Sequence, residues 1–215
     1  MVPPFLTFGS DFGIGNVGDS VIRRITFSSF KHGISRSVPT LPDNVDYLFK
    51  LVFLGEGAVG KTSLVGRYVY DSFEGDYLAT IGTDIHVKMV NLNETVVKLV
   101  IWDIAGQDNF AQLRRAYYMN ASGAFFVFDT TRPETIERVD DWLNALFTVT
   151  GKIPLVLLEN KVDLESAVSS EVKESVKKKH GIPIIPTSAK EDTNVEEAFR
   201  QMTRDILEKA RDKRI

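Results

Sequence analysis

Gly55-Glu56-Gly57-Ala58-Val59-Gly60-Lys61-Thr62 follows directly on the apolar run Leu48-Phe49-Lys50-Leu51-Val52-Phe53-Leu54. Together they read as a strand that passes through Gly-x-x-x-x-Gly-Lys-Thr into a helix, the context that gives this motif its meaning. Gly55 and Gly60 let the backbone curl so that its N–H groups face inward. The following helix presents its positive N-terminal end to the same point. Lys61 can reach β- and γ-phosphates, and Thr62 offers a hydroxyl to Mg²⁺. Gly57, Ala58, Val59 and Ser63 complete the loop and the first helical turn. The segment predicts a bound nucleoside triphosphate.

Outward from this loop, strand and helix patterns alternate, which predicts an α/β fold with a largely parallel sheet wrapped by helices. Residues 48–54 form the first strand, and a helix runs from Lys61 to about Tyr70. Ile85, Val87 and Met89 alternate with His86, Lys88 and Val90, the pattern of a half-buried strand. A turn at 91–94 returns the chain into a strand over 96–104, so this pair is expected as an antiparallel hairpin at the sheet edge. Residues 123–128, 153–158 and 182–185 read as buried parallel strands. Thr193-x-x-Glu196 has the form of a capping box. It precedes an apolar stripe of Val195, Ala198, Phe199, Met202 and Ile206 at helical spacing. Lys177-Lys178-Lys179-His180 before Gly181 reads as a solvated helix end with a C-cap.

The chain of 215 residues suits one domain, or one domain with an appendage, and 43% hydrophobic residues suffice for a core. A net charge of −3 without a basic block argues against a nucleic-acid partner. There is no cysteine, which excludes disulfides, thiolate zinc sites and a prenylated tail, and Val2 excludes N-myristoylation. No apolar run approaches the roughly 18 residues of a membrane span. Composition changes near residue 47. Residues 1–46, rich in Gly, Ser, Pro and Phe, read as a flexible extension to a domain over 47–215. A competing reading is a short cationic membrane-surface element from Val21 to Phe30.

Two later segments select the base. In Asn160-Lys161-Val162-Asp163 the carboxylate can accept two hydrogen bonds from the N1–H and 2-amino edge of guanine. Adenine lacks that pair of donors and would leave the carboxylate unpaired. Asn160 can tie this loop to the phosphate loop, and the Lys161 stem can lie on the base. In Thr187-Ser188-Ala189-Lys190 the Ala189 N–H can donate to guanine O6, while Ser188 orients the loop. Both segments follow strand ends, where ligands bind in open α/β sheets. At the γ-phosphate end, Asp103 can hold Mg²⁺ through water. The Gly106 N–H can sense the γ-phosphate, and Gln107 can orient the attacking water. The Thr80 hydroxyl and carbonyl can engage Mg²⁺ and γ-phosphate. Trp102 reads as a packed interface residue, and His32, His86 and His180 as solvent-facing.

Residues 48 to about 210 resemble a Ras-superfamily small GTPase, most closely the Rab branch. The likeness is carried by Thr80-Ile81-Gly82-x-Asp84, by Ile101-Trp102-Asp103-x-Ala105-Gly106-Gln107, and by Thr187-Ser188-Ala189-Lys190 with Asn194-Val195-Glu196-Glu197-Ala198-Phe199. It implies a P-loop NTPase small G-domain: a six-stranded, mostly parallel sheet with one antiparallel edge hairpin and helices on both faces. It also implies that Phe73 stacks on guanine, that Tyr77 closes over the γ-phosphate, and that switch I spans 73–84 and switch II about 105–118. GTP and GDP would be the ligands. Effectors, an exchange factor and a GTPase-activating protein would be the partners of a cytoplasmic monomer, reaching a membrane only through such a partner. Ile104, Asp108 and Glu159 depart from the family's usual Thr, Glu and Gly, and Ile85 from the Phe of an aromatic triad with Trp102 and Tyr117. Besides a GTP-hydrolysing switch, a GTP-holding scaffold with negligible turnover and an ATP-using kinase were the competing functions; Asp163 and Ala189 argue against the last.

Overall fold

Parity along the strands decides the architecture, because successive side chains leave a strand on opposite faces. The computed structural model describes residues 45–73, 80, 82–106 and 111–212, the side chains of 111–114 excepted. Tyr77, Gln107, Asp108, His32 and the extension up to residue 44 lie outside the described residues. On β1 (Tyr47–Leu54), Phe49, Leu51 and Phe53 enter one core while Val52 and Leu54 enter another. On β4 (Gly123–Asp129) and β5 (Leu155–Asn160) the same division separates Phe125, Val127, Val156 and Leu158 from Ala124, Phe126, Phe128, Leu155 and Leu157. Strands buried on both faces need helices on both, and they have them.

The first core is closed by α1 (Lys61–Tyr70) and α6 (Val195–Asp212), where the rings of Tyr68 and Phe199 stack at 3.6 Å. All five residues of the α6 stripe are buried. The second core is closed by α2 (Ala111–Tyr118), α3 (Glu134–Glu137), α4 (Val139–Thr150) and α5 (Ser170–His180). The sheet is completed by β2 (Thr83–Leu92), β3 (Thr95–Ile104) and β6 (Ile184–Pro186), in the order β2-β3-β1-β4-β5-β6. Among these six strands only β2 and β3 pair antiparallel, through a turn in which Asn93 takes a φ of 55°. The six-stranded, mostly parallel sheet with an edge hairpin is therefore as the sequence led us to expect. β1 lies between β3 and β4, so the crevice beyond its carboxyl end is where the strand order reverses.

Four local expectations are corrected. β5 begins at Leu155 rather than 153 and β6 at Ile184 rather than 182, because Pro154 and Pro183 have no N–H for the ladder. Both strands run further at the other end, where Thr187 N–H donates to the Glu159 carbonyl. α6 starts at Val195, so Asn194 rather than Thr193 flanks it, and Asn194 Nδ2 donates to the Pro186 carbonyl at 2.8 Å. His86 and His180 are not solvent-facing. His86 packs between the Tyr70 hydroxyl, 3.0 Å from Nδ1, and Asp84, which shares its strand face, 3.3 Å from Nε2. His180 Nε2 lies 2.8 Å from Asp140 on α4. Gly181 caps the finish of α5 as expected, and Ser169 caps its start.

Lys50 projects from β1 into the second face. Its Nζ lies 3.7 Å over the Trp102 ring and donates to the Met119 carbonyl. Burial lowers its pKa from 10.5 to about 8. Between those values the unfolded chain binds the extra proton, so the native protein gains stability as pH rises. The melting temperature of the wild type is expected to rise relative to that of Lys50→Met between pH 8 and 10.5. Parallel curves would show that Lys50 is not desolvated.

Candidate functional site

The turn between β1 and α1 is held by its carbonyls. Arg132 Nη2 donates to Gly57 O at 2.8 Å, Lys161 Nζ to Ala58 O at 2.9 Å and Asn160 Nδ2 to Val59 O at 2.9 Å. In a trans peptide the N–H points away from the preceding carbonyl. Three outward carbonyls therefore turn the N–H groups of Ala58, Val59 and Gly60 to the opposite side. Gly60 has a φ of 96°, and a Cβ there would sit 2.2 Å from Asn160 Nδ2. Lys61 Nζ bridges the carbonyls of Gly55 and Glu56 at 2.8 and 2.7 Å. The Glu56 carboxylate accepts from Trp142 Nε1 at 2.9 Å and pairs with Arg138. At Gly106 a Cβ would lie 2.4 Å from the Glu56 carbonyl, so β3's exit is pressed against the loop.

A cavity of about 500 Å³ runs from this loop across the sheet's carboxyl edge. Gly57, Ala58 and Gly60 through Ser63 line one end, with Thr80 and Gly106; Asp163, Ala189 and Lys190 line the other, with Asn160, Lys161 and Phe73 between or beside them. Gly55, Val59, Asp103 and Ser188 stand behind this lining and hold it. Ser188 Oγ donates to Asp163 Oδ1 at 2.6 Å and accepts from the Glu191 N–H, which aims the carboxylate. Asn160 Oδ1 accepts from the Ala189 N–H at 3.3 Å.

Asp103, one residue before the end of β3, is fully buried. Burial pushes its carboxyl up, against the pull of the Thr62 hydroxyl and the Lys61 ammonium. Thr62 Oγ1 lies 2.5 Å from Asp103 Oδ2 and 2.8 Å from Thr80 Oγ1. Among the described residues, buried Asp103 Oδ1 has no hydrogen-bond partner. Two hydroxyls and a carboxylate with a spare oxygen are the hard donors Mg²⁺ takes, so these residues fit that ion.

Three contributors were not singled out from sequence. Asp129 at the end of β4 is buried and binds Lys161 Nζ at 2.6 Å and Arg132 Nε at 3.2 Å. Burial opposes its charge, but the Lys161 ammonium and the Thr131 hydroxyl and N–H outweigh that and hold its carboxyl below the usual range. A lone carboxylate closing an apolar strand was the available signal. Arg67 on α1 donates to the carbonyls of Ala189 and Lys190. Arg132 had no signal beyond its place after β4. Of the residues that depart from the family, Ile104 is buried in the second core, and Ile85 is exposed opposite Trp102, its cross-strand partner.

The fold and its loops are those of a small GTP-binding domain. The chain belongs to the Ras family, whose pattern it matches over residues 50–208. It is 40% identical to human Ras-related protein Rab-32 over 81% of this chain and 82% of that protein. It is 38% identical to dog Ras-related protein Rab-13, over 77% and 83%. It is also 38% identical to Ras-related protein Rab-8B of Pongo abelii, over 76% and 81%. These relatives place it in the Rab branch.

Asp129→Ala leaves Lys161 and Arg132 without their shared carboxylate. Both cations are about a third exposed, so we expect a loss of about 1–3 kcal/mol in denaturant unfolding at pH 7, below the cost of a fully buried pair. Because the folded-state pKa is depressed, this contribution is present above the ordinary carboxylate pKa and fades as pH falls through the lower folded value. Asp103→Asn is expected to do the reverse to the ligand-free protein, holding or raising its melting temperature, while nucleotide retention ceases to respond to Mg²⁺.

Proposed function

We propose that this protein is a guanine-nucleotide switch that hydrolyses GTP to GDP and phosphate, with a Rab-like role in signalling or trafficking. One observation carries the reading: a single cavity joins the tethered phosphate loop to Asp163 and Ala189. The Asp163 carboxylate supplies the acceptor that guanine's N1–H and 2-amino edge requires, and the Ala189 N–H, which donates to Asn160 Oδ1 in the unliganded site, would turn to O6. Phe73 and the Lys161 stem flank the base, and Tyr77 closes over the γ-phosphate.

Catalysis here is positioning and charge stabilisation, as in the handling of phosphoryl transfer by this class generally. The N–H groups of the loop bind phosphate oxygens, and Lys61 shifts from the Gly55 and Glu56 carbonyls to the β- and γ-oxygens. Mg²⁺, held by Thr62 and Thr80 with Asp103 through water, would neutralise charge between those phosphates. Gln107 orients the attacking water. Thr80 and Gly106 engage the γ-phosphate, so its loss releases residues 73–84 and about 105–118, which partners read. An added Cβ at Gly57 meets no atom of the described residues within 4 Å, so an activating partner's arginine has room to approach. Exchange factors and effectors complete the cycle, acting on a monomer. Among the described residues no helix is long and apolar enough to cross a membrane. We place the protein in the cytoplasm, docking on membranes through partners.

The test is to load purified protein with GTP and Mg²⁺ and follow bound nucleotide over hours by chromatography, with ATP as control. We expect slow conversion to bound GDP, lost in Gln107→Leu, and no ATP uptake. Retained GTP in the wild type would favour a scaffold with negligible turnover. Preferential uptake of ATP would overturn the guanine assignment.

A further inference from the structure

Glu159 occupies a position where the family usually has glycine, and it is 7% exposed. A carboxylate so buried persists only where it is paired. Asn160 and Glu159 leave β5 on opposite faces. Asn160 reaches the phosphate loop at Val59. Glu159 Oε1 accepts from Thr130 Oγ1 at 2.7 Å and from Lys173 Nζ on α5 at 2.9 Å. Thr130 Oγ1 is also 2.9 Å from Ser166 Oγ, and the Thr130 carbonyl accepts from the Ala167 N–H at 2.9 Å. Thr130 N–H in turn donates to the Asn160 carbonyl. The segment that leaves β5 carrying Lys161 and Asp163 is thus tied at both ends to one buried carboxylate and its partners.

We propose that Glu159 is a positioning residue for guanine recognition. Its carboxylate, clamped between Thr130 and Lys173, fixes the segment that presents Asp163 to the 2-amino edge of the base. The inference rests on the guanine reading above, and the family's usual glycine offers no such clamp. Breaking the clamp should loosen the grip on the 2-amino group more than the grip on phosphate. Hypoxanthine nucleotides, which lack that group, should feel the change less.

The experiment measures release of fluorescently labelled GDP and IDP from the full chain in Mg²⁺. Glu159→Gln is expected to speed GDP release by about tenfold, the scale of one lost charge-assisted hydrogen bond, and IDP release by clearly less. Lys173→Met should act in the same direction, and Lys173→Arg should restore near wild-type rates and preference. Unchanged release, or GDP and IDP release raised by the same factor alongside a lower melting temperature, would overturn the proposal. Should Glu159→Gln fail to fold, Thr130→Val decides by the same two rates. A wild type that shows no preference for GDP over IDP would sink the guanine reading itself, and this inference with it.

Discussion

Three side-chain donors from outside the phosphate loop hold three consecutive carbonyls of that loop, and the rest of the site depends on this. A loop of small residues has no interior of its own, so its shape must be imposed from outside. Arg132 comes from the turn after β4, Lys161 and Asn160 from the end of β5. Each such hydrogen bond contributes on the order of 1 kcal/mol net to stability. Their larger effect is on binding, because N–H groups already aimed at a phosphate need no reordering when it arrives. Asp129 makes the arrangement possible: its charge fixes the heads of both Lys161 and Arg132, cations that would otherwise prefer water.

The sheet explains why these donors converge. Parallel strands bring the ends of β1, β3, β4 and β5 to one edge, and β1 sits between the strands that diverge from it. Each strand end then delivers a polar group to the same place: the Gly55 carbonyl after β1, and the side chains of Asp103 on β3, Asp129 on β4 and Asn160 on β5. The strands are apolar along most of their length because both faces are covered. The change from apolar to polar at their carboxyl ends therefore marks the site and not the surface.

That change was readable in the sequence wherever a motif has fixed local spacing. Lys61 and Thr62 lie within one loop and turn, and Asn160 and Asp163 within four residues, so spacing alone placed them. The helix of residues 61–70 and the edge hairpin were equally legible from periodicity. What escaped were contacts between distant parts of the chain. Arg67 reaches Ala189 across 122 positions and Arg132 reaches Gly57 across 75, and no local pattern encodes either. His180 escaped for the same reason: it is covered by Asp140, on a helix 30 residues or more away in sequence. The shifted starts of β5 and β6 had a local cause, the missing N–H of Pro154 and Pro183, but an apolar run hides it when only hydrophobicity is counted.

Asp103 shows how the site couples binding to folding. A buried carboxylate with one oxygen unpaired costs stability, and its raised pKa is the same cost expressed as protonation. The native fold tolerates it because Thr62 and Lys61 offset part of the charge and the rest of the sheet outweighs what remains. A cation at this corner would satisfy the spare oxygen and bring Thr80 to the same point, and would so relieve a cost that folding created. Anything that binds the native state alone stabilises it in proportion to its concentration. With such a cation absent, Thr80 is tied to this corner through the Thr62 hydroxyl, 2.8 Å away.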